Sequence, residues 1–341
     1  MALDASFLAQ LQNSSERLIQ LLDNFVQARV LVVGDLTLDE FLTGQVERIS
    51  REAPVLILRH ENTRQVPGGG ANAVYNLATL GAQVKVAGLV GKDDQGQALR
   101  HIFEAAGIDT SGMLLDPDRP TVTKTRISGH ARQSVTQQIV RVDRKSDELP
   151  DQDLQLQLAE YIQQHLDTVD AVVCSDYGDG VFTQPVIEAA LSHQKTIVDA
   201  QVGLQRYQGA TLFTPNLPEA EQAVGYAIAS GQITQAGRDL LALTQAQQML
   251  ITRGEEGMSL FDRSGTEQHI PAFNRTDVFD VTGAGDTVVA ALTLSLVVGA
   301  SFWEAAVLGN LAASIVVRQF GTATTSPEEM KAALLALLEE E

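Results

Sequence analysis

A short segment near the C-terminal end of the chain has the residue types and spacing that phosphoryl transfer requires. Gly283, Ala284 and Gly285 are followed at once by Asp286, and then by an apolar run over 288–298 that predicts a helix. Small residues at a helix start let backbone N–H groups approach an anion, and the helix dipole favours negative charge there. The segment therefore predicts phosphoryl transfer to a hydroxyl with Asp286 as the base. The structural alternative is a tight turn with a favourable first-turn acid.

Four further residues have side chains or backbone groups suited to binding a polyol. Gly68 and Gly69 lie in a glycine-rich turn that opens a predicted helix, and Asn72 of that helix offers both a donor and an acceptor. Asp35 follows the first predicted strand, where open α/β sheets bind ligands, so its carboxylate can accept two sugar hydroxyls. The ordinary alternatives are a strand-to-helix connection for the glycines and a turn-forming acid for Asp35.

Other candidates suit a nucleotide or a phosphate. Asn216 and Glu219 lie one helical turn apart, where they can hold Mg²⁺ through water, although capping of the helix by Asn216 explains the pair equally well. A turn after another predicted strand, 252–254, can place a cation and amides on a nucleotide phosphate, or is a plain turn. Lys124 and Arg126 leave the same face of a predicted strand. They suit a phosphate on the substrate or a solvated surface.

Composition excludes several classes of function. The 341 residues have a formal net charge of −19, which argues against nonspecific binding of nucleic acid. The single cysteine, Cys174, cannot form an internal disulfide, which indicates a reducing compartment. The sequence shows neither a secretory leader pattern nor an apolar run of the ~20 residues that a bilayer requires. We therefore expect a cytoplasmic protein without nucleic-acid or membrane partners.

The chain also lacks the motifs of other enzyme classes. There is no P-loop, no third glycine of a dinucleotide fingerprint and no G-x-S-x-G sequence. The six histidines and the cysteine show no metal-ligand spacing.

Predicted strands and helices alternate along most of the chain. Apolar runs at 30–33, 84–90, 171–174, 196–198, 211–213 and 249–251 predict strands, and helical patterns at 71–80, 95–106, 151–165, 184–192, 217–224 and 235–243 lie between or after them. This alternation predicts an α/β fold, with a mostly parallel sheet and helices on both sides. Residues 41–66 and 121–145 show β-like alternation instead, and predict a small sheet over the site or edge strands of the main sheet. After residue 284 the pattern is helical.

Together, and in this order along the chain, the elements resemble the ribokinase-like (PfkB-type) carbohydrate kinases. The resemblance implies a three-layer sandwich with a mostly parallel central sheet and a small β-sheet lid, with ATP and a sugar or sugar phosphate as substrates. We expect a helical extension over 1–29, a kinase domain over 30–335 with lid segments at about 36–66 and 121–145, and a tail over 336–341. The lid strands would otherwise leave exposed edges, and in this family lids often pair across a two-fold axis. Both points predict a homodimer through the lid.

The resemblance also implies roles for individual residues. Asp286 and the amides of residues 283–285 would act in catalysis, and Asn216 and Glu219 would organise Mg²⁺ and phosphates. Asp280, near Thr282, is a candidate for a monovalent cation such as K⁺. The residues expected around the nucleotide are Asn216, Glu219, Thr252, Gly254, Thr282 and Asn310. Those expected around the sugar are Asp35, Asp39, Gly68, Gly69, Asn72, Lys124 and Arg126.

Finer sequence features resemble the members of the family that phosphorylate D-glycero-D-manno-heptose 7-phosphate at C1, in ADP-heptose synthesis for lipopolysaccharide. These features lie at 34–39, 48–55, 121–126, 175–177, 206–211 and 321–324. One departure is Gln201, which stands where those kinases have a lysine. The sequence has no H-x-G-H motif, so we expect it to perform the kinase step alone. The alternatives are a kinase of an unphosphorylated sugar or nucleoside, such as a fructokinase or ribokinase, and a non-catalytic sugar-binding relative.

Overall fold

A nine-stranded sheet forms the centre of the molecule. The computed structural model describes residues 4–131, 135–229, 231–274, 278–319 and 321–339. Only the pairs β11–β12 and β12–β13 are antiparallel, so the prediction of a mostly parallel sheet is confirmed. Across the sheet the strands are β13 (Glu267–Ile270), β12 (Met258–Asp262), β11 (Gln248–Thr252), β10 (Leu212–Phe213), β9 (Thr196–Ala200), β8 (Ala171–Asp176), β1 (Arg29–Gly34), β4 (Gln83–Gly91) and β5 (Asp109–Asp116).

Helices cover both faces of this sheet. Alternate residues of β1 face opposite sides, so that Val30 and Val32 enter one apolar core while Leu31 and Val33 enter the other. The first core receives α1, α2, α3, α8, α9 and α10, and the second receives α4 to α7. Their bounds are α1 (Ala5–Asn24), α2 (Gly70–Thr79), α3 (Asp94–Ala105), α4 (Gln152–His165), α5 (Gln184–Leu191), α6 (Leu217–Val224), α7 (Ile233–Thr244), α8 (Ala284–Val297), α9 (Phe302–Val316) and α10 (Pro327–Glu339).

The two ends of the chain pack in the first core. Leu11 and Leu18 of α1 are fully buried, and the Phe7 ring lies 6.1 Å from the Trp303 ring of α9. α10 begins with a capping box between Ser326 and Glu329. It continues to Glu339, so the tail boundary expected after residue 335 falls inside a helix; residues 340–341 lie outside the described chain.

A second sheet stands apart from the first. Its order is β3 (Leu56–Gly69), β2 (Leu36–Ile49), β6 (Val122–His130) and β7 (Gln137–Arg144). The β2–β3 and β6–β7 pairs are antiparallel, whereas β2 and β6 are parallel. We call this four-stranded sheet the lid sheet. Because it pairs with no strand of the central sheet, the alternative of extra edge strands is wrong.

The lid sheet joins the core without intervening loops at two places. Only Asp35 separates β1 from β2, and β3 runs directly into α2 at Gly69 and Gly70. Both junctions lie at the carboxyl end of β1, beside the start of α8. Among the helices of the described chain, none is both long and apolar enough to cross a bilayer.

Candidate active site

Asp286 occupies the first turn of α8 and is held from two sides. The helix begins after Gly283, which has the left-handed φ of +78° and leaves the helix without a side-chain cap. The Asp286 side chain is buried, and its Oδ1 accepts a hydrogen bond from the Tyr177 hydroxyl at 2.9 Å. Its Oδ2 accepts one from Asn72 Nδ2 at 2.8 Å. Both contacts suit an ionised carboxylate, which is the form that a general base requires.

Burial raises the pKa of Asp286 to about 6, although the hydrogen bonds from Asn72 and Tyr177 and the charge of Lys124 oppose the change. Protonation below that pH removes the acceptor for a hydroxyl proton. We therefore expect kcat/KM for the sugar to fall about tenfold per unit on the acid side of a midpoint near pH 6, measured by initial rates between pH 4.5 and 8. An acid limb centred near pH 4 would contradict this environment for the base.

Gly283 leaves no space for a side chain. A Cβ atom there would lie 2.6 Å from Asn72 Nδ2. We expect Gly283→Ala to lower the free energy of unfolding by about 1–2 kcal/mol through its left-handed backbone, and to lower kcat by displacing Asn72. Gly209→Ala is the matched control, because Gly209 has a φ of +91° with open space around it. Equal kcat in the two variants would show that the contact with Asn72 is unimportant.

Two cavities flank the start of α8. One, of about 180 Å³, is called here the nucleotide-side cavity; its lining includes Asn216, Glu219, Thr252, Gly283, Gly285 and Asp286. The other, of about 620 Å³, is called the lid cavity; its lining includes Phe41, Arg64, Arg126, Asp280 and Thr282. Thr282 lines the lid cavity, whereas Gly283, Gly285 and Asp286 line the nucleotide-side cavity, so the segment that leads into α8 contacts both.

Acidic groups dominate the nucleotide-side cavity. Asn216 and Glu219 form a reciprocal capping box at the start of α6, with N···O distances of 2.9 and 2.8 Å. Burial raises the pKa of Glu219, and it raises that of the partly buried Asp199 well above its usual range. Gln201, at the position of the departure noted above, lines the same cavity. Capping therefore accounts for the local spacing of Asn216 and Glu219, while the cavity wall gives them a surface for a ligand.

The described residues contain no group of three His, Cys, Asp or Glu side chains arranged to hold a metal ion. Mg²⁺ keeps several waters and takes one or two carboxylates together with substrate phosphates. The carboxylate of Glu219 on the cavity wall fits that mode of binding, and a closed cage of protein ligands is not required.

Gly254 and Asn310, expected around the nucleotide, and Ala284, expected in catalysis, each have their own structural surroundings. Gly254 adopts the left-handed φ of +56° just after β11, with open space around its Cα. Ala284, expected to donate its amide to the transferring group, donates it here to the Val281 carbonyl at 3.2 Å. Asn310 is buried on α9 and donates to the carbonyl of Pro271 at 2.7 Å. Neither Gly254 nor Asn310 lines the nucleotide-side cavity, and their roles stay predictions.

On the sugar side, Asp35 is largely engaged by the main chain. Its two oxygens accept N–H bonds from Tyr177, Asp179 and Val181 at 2.8 to 3.1 Å. Burial, followed by the charge of Asp176, raises the Asp35 pKa to about 7. A carboxylate has about four lone-pair sites, so one acceptor position is left for a sugar hydroxyl. The observed bonds order the 177–181 turn.

The basic residues of β6 have different partners. Arg126 forms an ion pair with the buried Asp39 at 2.7 Å and stacks on Phe41, with its Cζ atom 5.3 Å from the ring centroid. Lys124 Nζ lies 5.7 Å from the centre of the Tyr177 ring. The two cations leave one face as expected, but Lys124 lies toward Asp286 while Arg126 lines the lid cavity.

Asp280 closes the turn before α8. Its Oδ1 accepts bonds from the backbone N–H and the hydroxyl of Thr282, and its Oδ2 accepts the Gly321 N–H at 3.0 Å. Despite partial burial these bonds hold the Asp280 pKa below its usual value. The carboxylate is therefore ionised, and a monovalent-cation role for it stays a prediction.

The glycine-rich turn fits closely against β2. A Cβ atom at Gly68 would lie 2.6 Å from Asp39 Oδ2, and Gly69 has a φ of +52°. A larger residue at Gly68 would displace the Asp39 carboxylate, and one at Gly69 would displace the Thr37 hydroxyl.

Sequence reasoning did not assign several residues that the structure brings to the site. Tyr177 and Asp199 lie at the carboxyl ends of neighbouring parallel strands, β8 and β9, which is a position that predicts a ligand site. Arg64 shares a row of the lid sheet with Phe41 and Arg126. The available sequence signal for Arg64 was the β-like alternation of the segment 41–66, which contains it.

Comparisons with known proteins agree with this architecture. Proteins called "Bifunctional protein HldE" match from Geobacter metallireducens, 43% identical over 316 residues, and from Desulfatibacillum aliphaticivorans, 42% identical over 318. The alignments cover 90% and 91% of this chain but 63% and 64% of those proteins, so the chain spans less than two thirds of their length.

Solved structures with the same fold are more distant in sequence. Phosphofructokinase-2 from Escherichia coli in complex with potassium has a TM-score of 0.72 at 19% identity, covering 91% of this chain and 98% of its own. Arabidopsis thaliana ribokinase complexed with ribose and ATP has a TM-score of 0.67 at 20% identity, covering 92% and 99%. The model of the pfkB family carbohydrate kinases matches residues 27–329, which include both sheets and the start of α8. This chain belongs to the pfkB family of carbohydrate kinases.

Proposed function

We propose that this protein transfers the γ-phosphoryl group of ATP to a sugar hydroxyl, and that the acceptor is the hydroxyl at C1 of D-glycero-D-manno-heptose 7-phosphate. The observation that carries the transfer is the place of Asp286, a buried carboxylate at the start of α8 that lines the nucleotide-side cavity and is held by Asn72 and Tyr177. The similarity to HldE proteins and the heptose-kinase features of the sequence support the choice of sugar.

Each side of the helix start has a role in this proposal. The sugar lies on the lid side, held by Asp35, Asp39, the 68–69 turn and Asn72, and Asp286 accepts the proton of the attacking hydroxyl. The backbone N–H groups of Gly283 and Gly285 at the start of α8 stabilise the charge on the transferring group. Asn216 and Glu219 orient the nucleotide phosphates. Mg²⁺, held through Glu219 and water, would neutralise phosphate charge.

The lid cavity supports an acceptor that already bears a phosphate. Arg126 and Arg64 lie on either side of Phe41 in one row of the lid sheet, and both line this cavity. Arg64 is exposed, and within the described chain it has no ion-pair or hydrogen-bond partner. Its guanidinium is therefore free to take a phosphate in a bidentate manner. Lys124, on the same face of β6, would meet the same phosphate from the side nearer Asp286.

Gln201 gives a prediction about the nucleotide side. It shares a cavity with Asp199, Glu219 and Asp286, and none of the described residues that line it is basic. We expect Gln201→Lys to lower KM for ATP about tenfold, since a cation would offset these acids and meet a phosphate. Gln201→Met, which has similar length without charge, is the control. Equal KM values for the two variants would contradict this use of the position.

The experiment that tests the function is ADP release over a panel of sugars and sugar phosphates. Turnover with heptose 7-phosphate and not with free sugars is the expected result, and NMR of the product locates the new phosphate. Turnover with fructose, ribose or a nucleoside alone would support a kinase of unphosphorylated acceptors. Stabilisation by sugar without ADP release would indicate a non-catalytic relative.

We also propose that two chains associate through the lid sheet. β3 and β7 are its free edges, and every residue of β7 is exposed. The exposed residues of β7 include Ile139, Val140 and Val142, which are apolar. An apolar edge strand of this kind is normally covered in a soluble protein. Sedimentation of the protein with Val140→Lys against the unmodified chain tests this, with a shift toward monomer expected.

A further inference from the structure

Two buried asparagines connect α2 with α8 behind the base. Asn72 and Asn76 lie four residues apart on one face of α2. Both are buried, as is the Thr287 side chain that faces them from α8. Asn76 Nδ2 donates to the Asn72 main-chain carbonyl at 2.9 Å and to the Asn72 side-chain Oδ1 at 3.1 Å. The Thr287 hydroxyl lies 2.9 Å from Asn76 Oδ1.

The direction of each hydrogen bond follows from one acceptor. The main-chain carbonyl of Asn72 can only accept, so the Asn76 atom that touches it is the NH₂ group. That NH₂ group also faces the Asn72 side chain, which must therefore present its oxygen there. The Asn72 NH₂ group is consequently left to face Asp286 Oδ2, at 2.8 Å. The other end of Asn76 accepts from Thr287.

We propose that Asn76, with Thr287 behind it, is a positioning residue for the base: it fixes the Asn72 amide so that a donor, and never an oxygen, faces Asp286. The inference rests on the proposed function, because it assigns a purpose to the orientation of the same carboxylate. Asn72 thus acts on the base as well as on the sugar.

The orientation matters because the two ends of an amide have opposite effects on a carboxylate. A donor stabilises the charged form, whereas a carbonyl oxygen at 2.8 Å would repel it. The other groups that act on Asp286 are the Tyr177 hydroxyl and the charges of Lys124, Asp39 and Asp199. Among the described hydrogen bonds none joins these groups to Asn76, so replacing Asn76 acts on Asp286 through the Asn72 amide.

The test compares three variants of the full chain. Asn76→Leu removes the two side-chain bonds to Asn72 and the one from Thr287 with a side chain of similar shape, and leaves the Asn72 amide free to turn. We expect the acid limb of kcat/KM for the sugar to move upward by about one pH unit, with KM for ATP unchanged. Thr287→Val removes the outer donor, which also lies 3.1 Å from the Gly283 carbonyl, so we expect a smaller shift in the same direction. Thr293→Val, a buried hydroxyl further along α8 with no partner in the described chain, is the control and should leave the limb unmoved.

The outcomes distinguish failure of the positioning role from failure of the proposed function on which it rests. Absence of sugar-dependent ADP release in the unmodified protein contradicts the function itself. Full turnover there, with an unmoved limb in folded Asn76→Leu, overturns the positioning role alone. If Asn76→Leu does not fold, as judged by circular dichroism, Thr287→Val decides, and an unmoved limb in that variant overturns the proposal.

Discussion

Asp286→Asn is expected to lose 10² to 10⁴ in kcat, about the contribution of a general base, while ATP binding stays near normal. The same variant should unfold at a higher temperature. Burial raises the pKa of this carboxyl from 3.8 to about 6, so its charged form at pH 7 costs about 3 kcal/mol of folding free energy. This penalty is absent below pH 3.8 and complete above pH 6. A neutral amide avoids it.

Turnover, ATP affinity by calorimetry and thermal unfolding at pH 7 are the three measurements. Asp262→Asn is the control, because Asp262 is likewise a hydrogen-bond acceptor, but its donors are backbone N–H groups of the turn after β12. Near-normal turnover in Asp286→Asn would end the assignment of the base. Lost activity together with a lower unfolding temperature would show that the carboxylate supports the fold instead.

Replacing Lys124 and Arg126 together by glutamine is expected to raise KM for the phosphorylated sugar by about 10² to 10⁴, with KM for ATP changed less than about threefold. Each cation contributes a charge-assisted contact worth about 1.5–3 kcal/mol to a phosphate. Arg126 also neutralises Asp39, whose side chain is only 5% exposed. The double variant is therefore checked for folding by thermal unfolding before its kinetics are interpreted.

Two single variants refine this result. Arg64→Gln has no ion pair to break within the described chain, and it should raise KM for the sugar phosphate by about tenfold or more if the lid cavity takes the phosphate. Arg59→Gln is the matched control on the same strand, since Arg59 pairs with Glu47 and does not line the cavity. Equal changes in KM for ATP and for the sugar would indicate a structural lid.

Sequence patterns predicted most of the strands that are buried on both faces, with β12 as an exception. β1 is an unbroken apolar run because each side enters a separate core, and most of the predicted helices end within two residues of the observed bounds. β5 was missed because it is an edge strand that begins with Asp109, Thr110 and Ser111, where propensity is weak and pairing with β4 decides. The strands β12 and β13 were also missed. β12 pairs with β11 as well as with β13, and its pairing with β11 is not encoded in the sequence of the hairpin.

The site was predictable only where its residues are neighbours in the sequence. Asp286 and the glycines before it form a local pattern, and so do Asn216 and Glu219. Tyr177 reaches Asp286 across 109 residues and Asn72 reaches it across 214. Such contacts arise from the packing of α2 and β8 against α8, which local periodicity does not encode.

The junctions between the lid sheet and the core have a mechanical consequence. β1 continues into β2 through Asp35 alone, and β3 passes into α2 at Gly69 and Gly70. Any swing of the lid must bend the chain at these points, which are also the proposed sugar contacts. The hinge and the binding site are then the same residues. Opening would disassemble the sugar pocket and closing would build it, so an acceptor that fits would itself supply the energy that shuts out water.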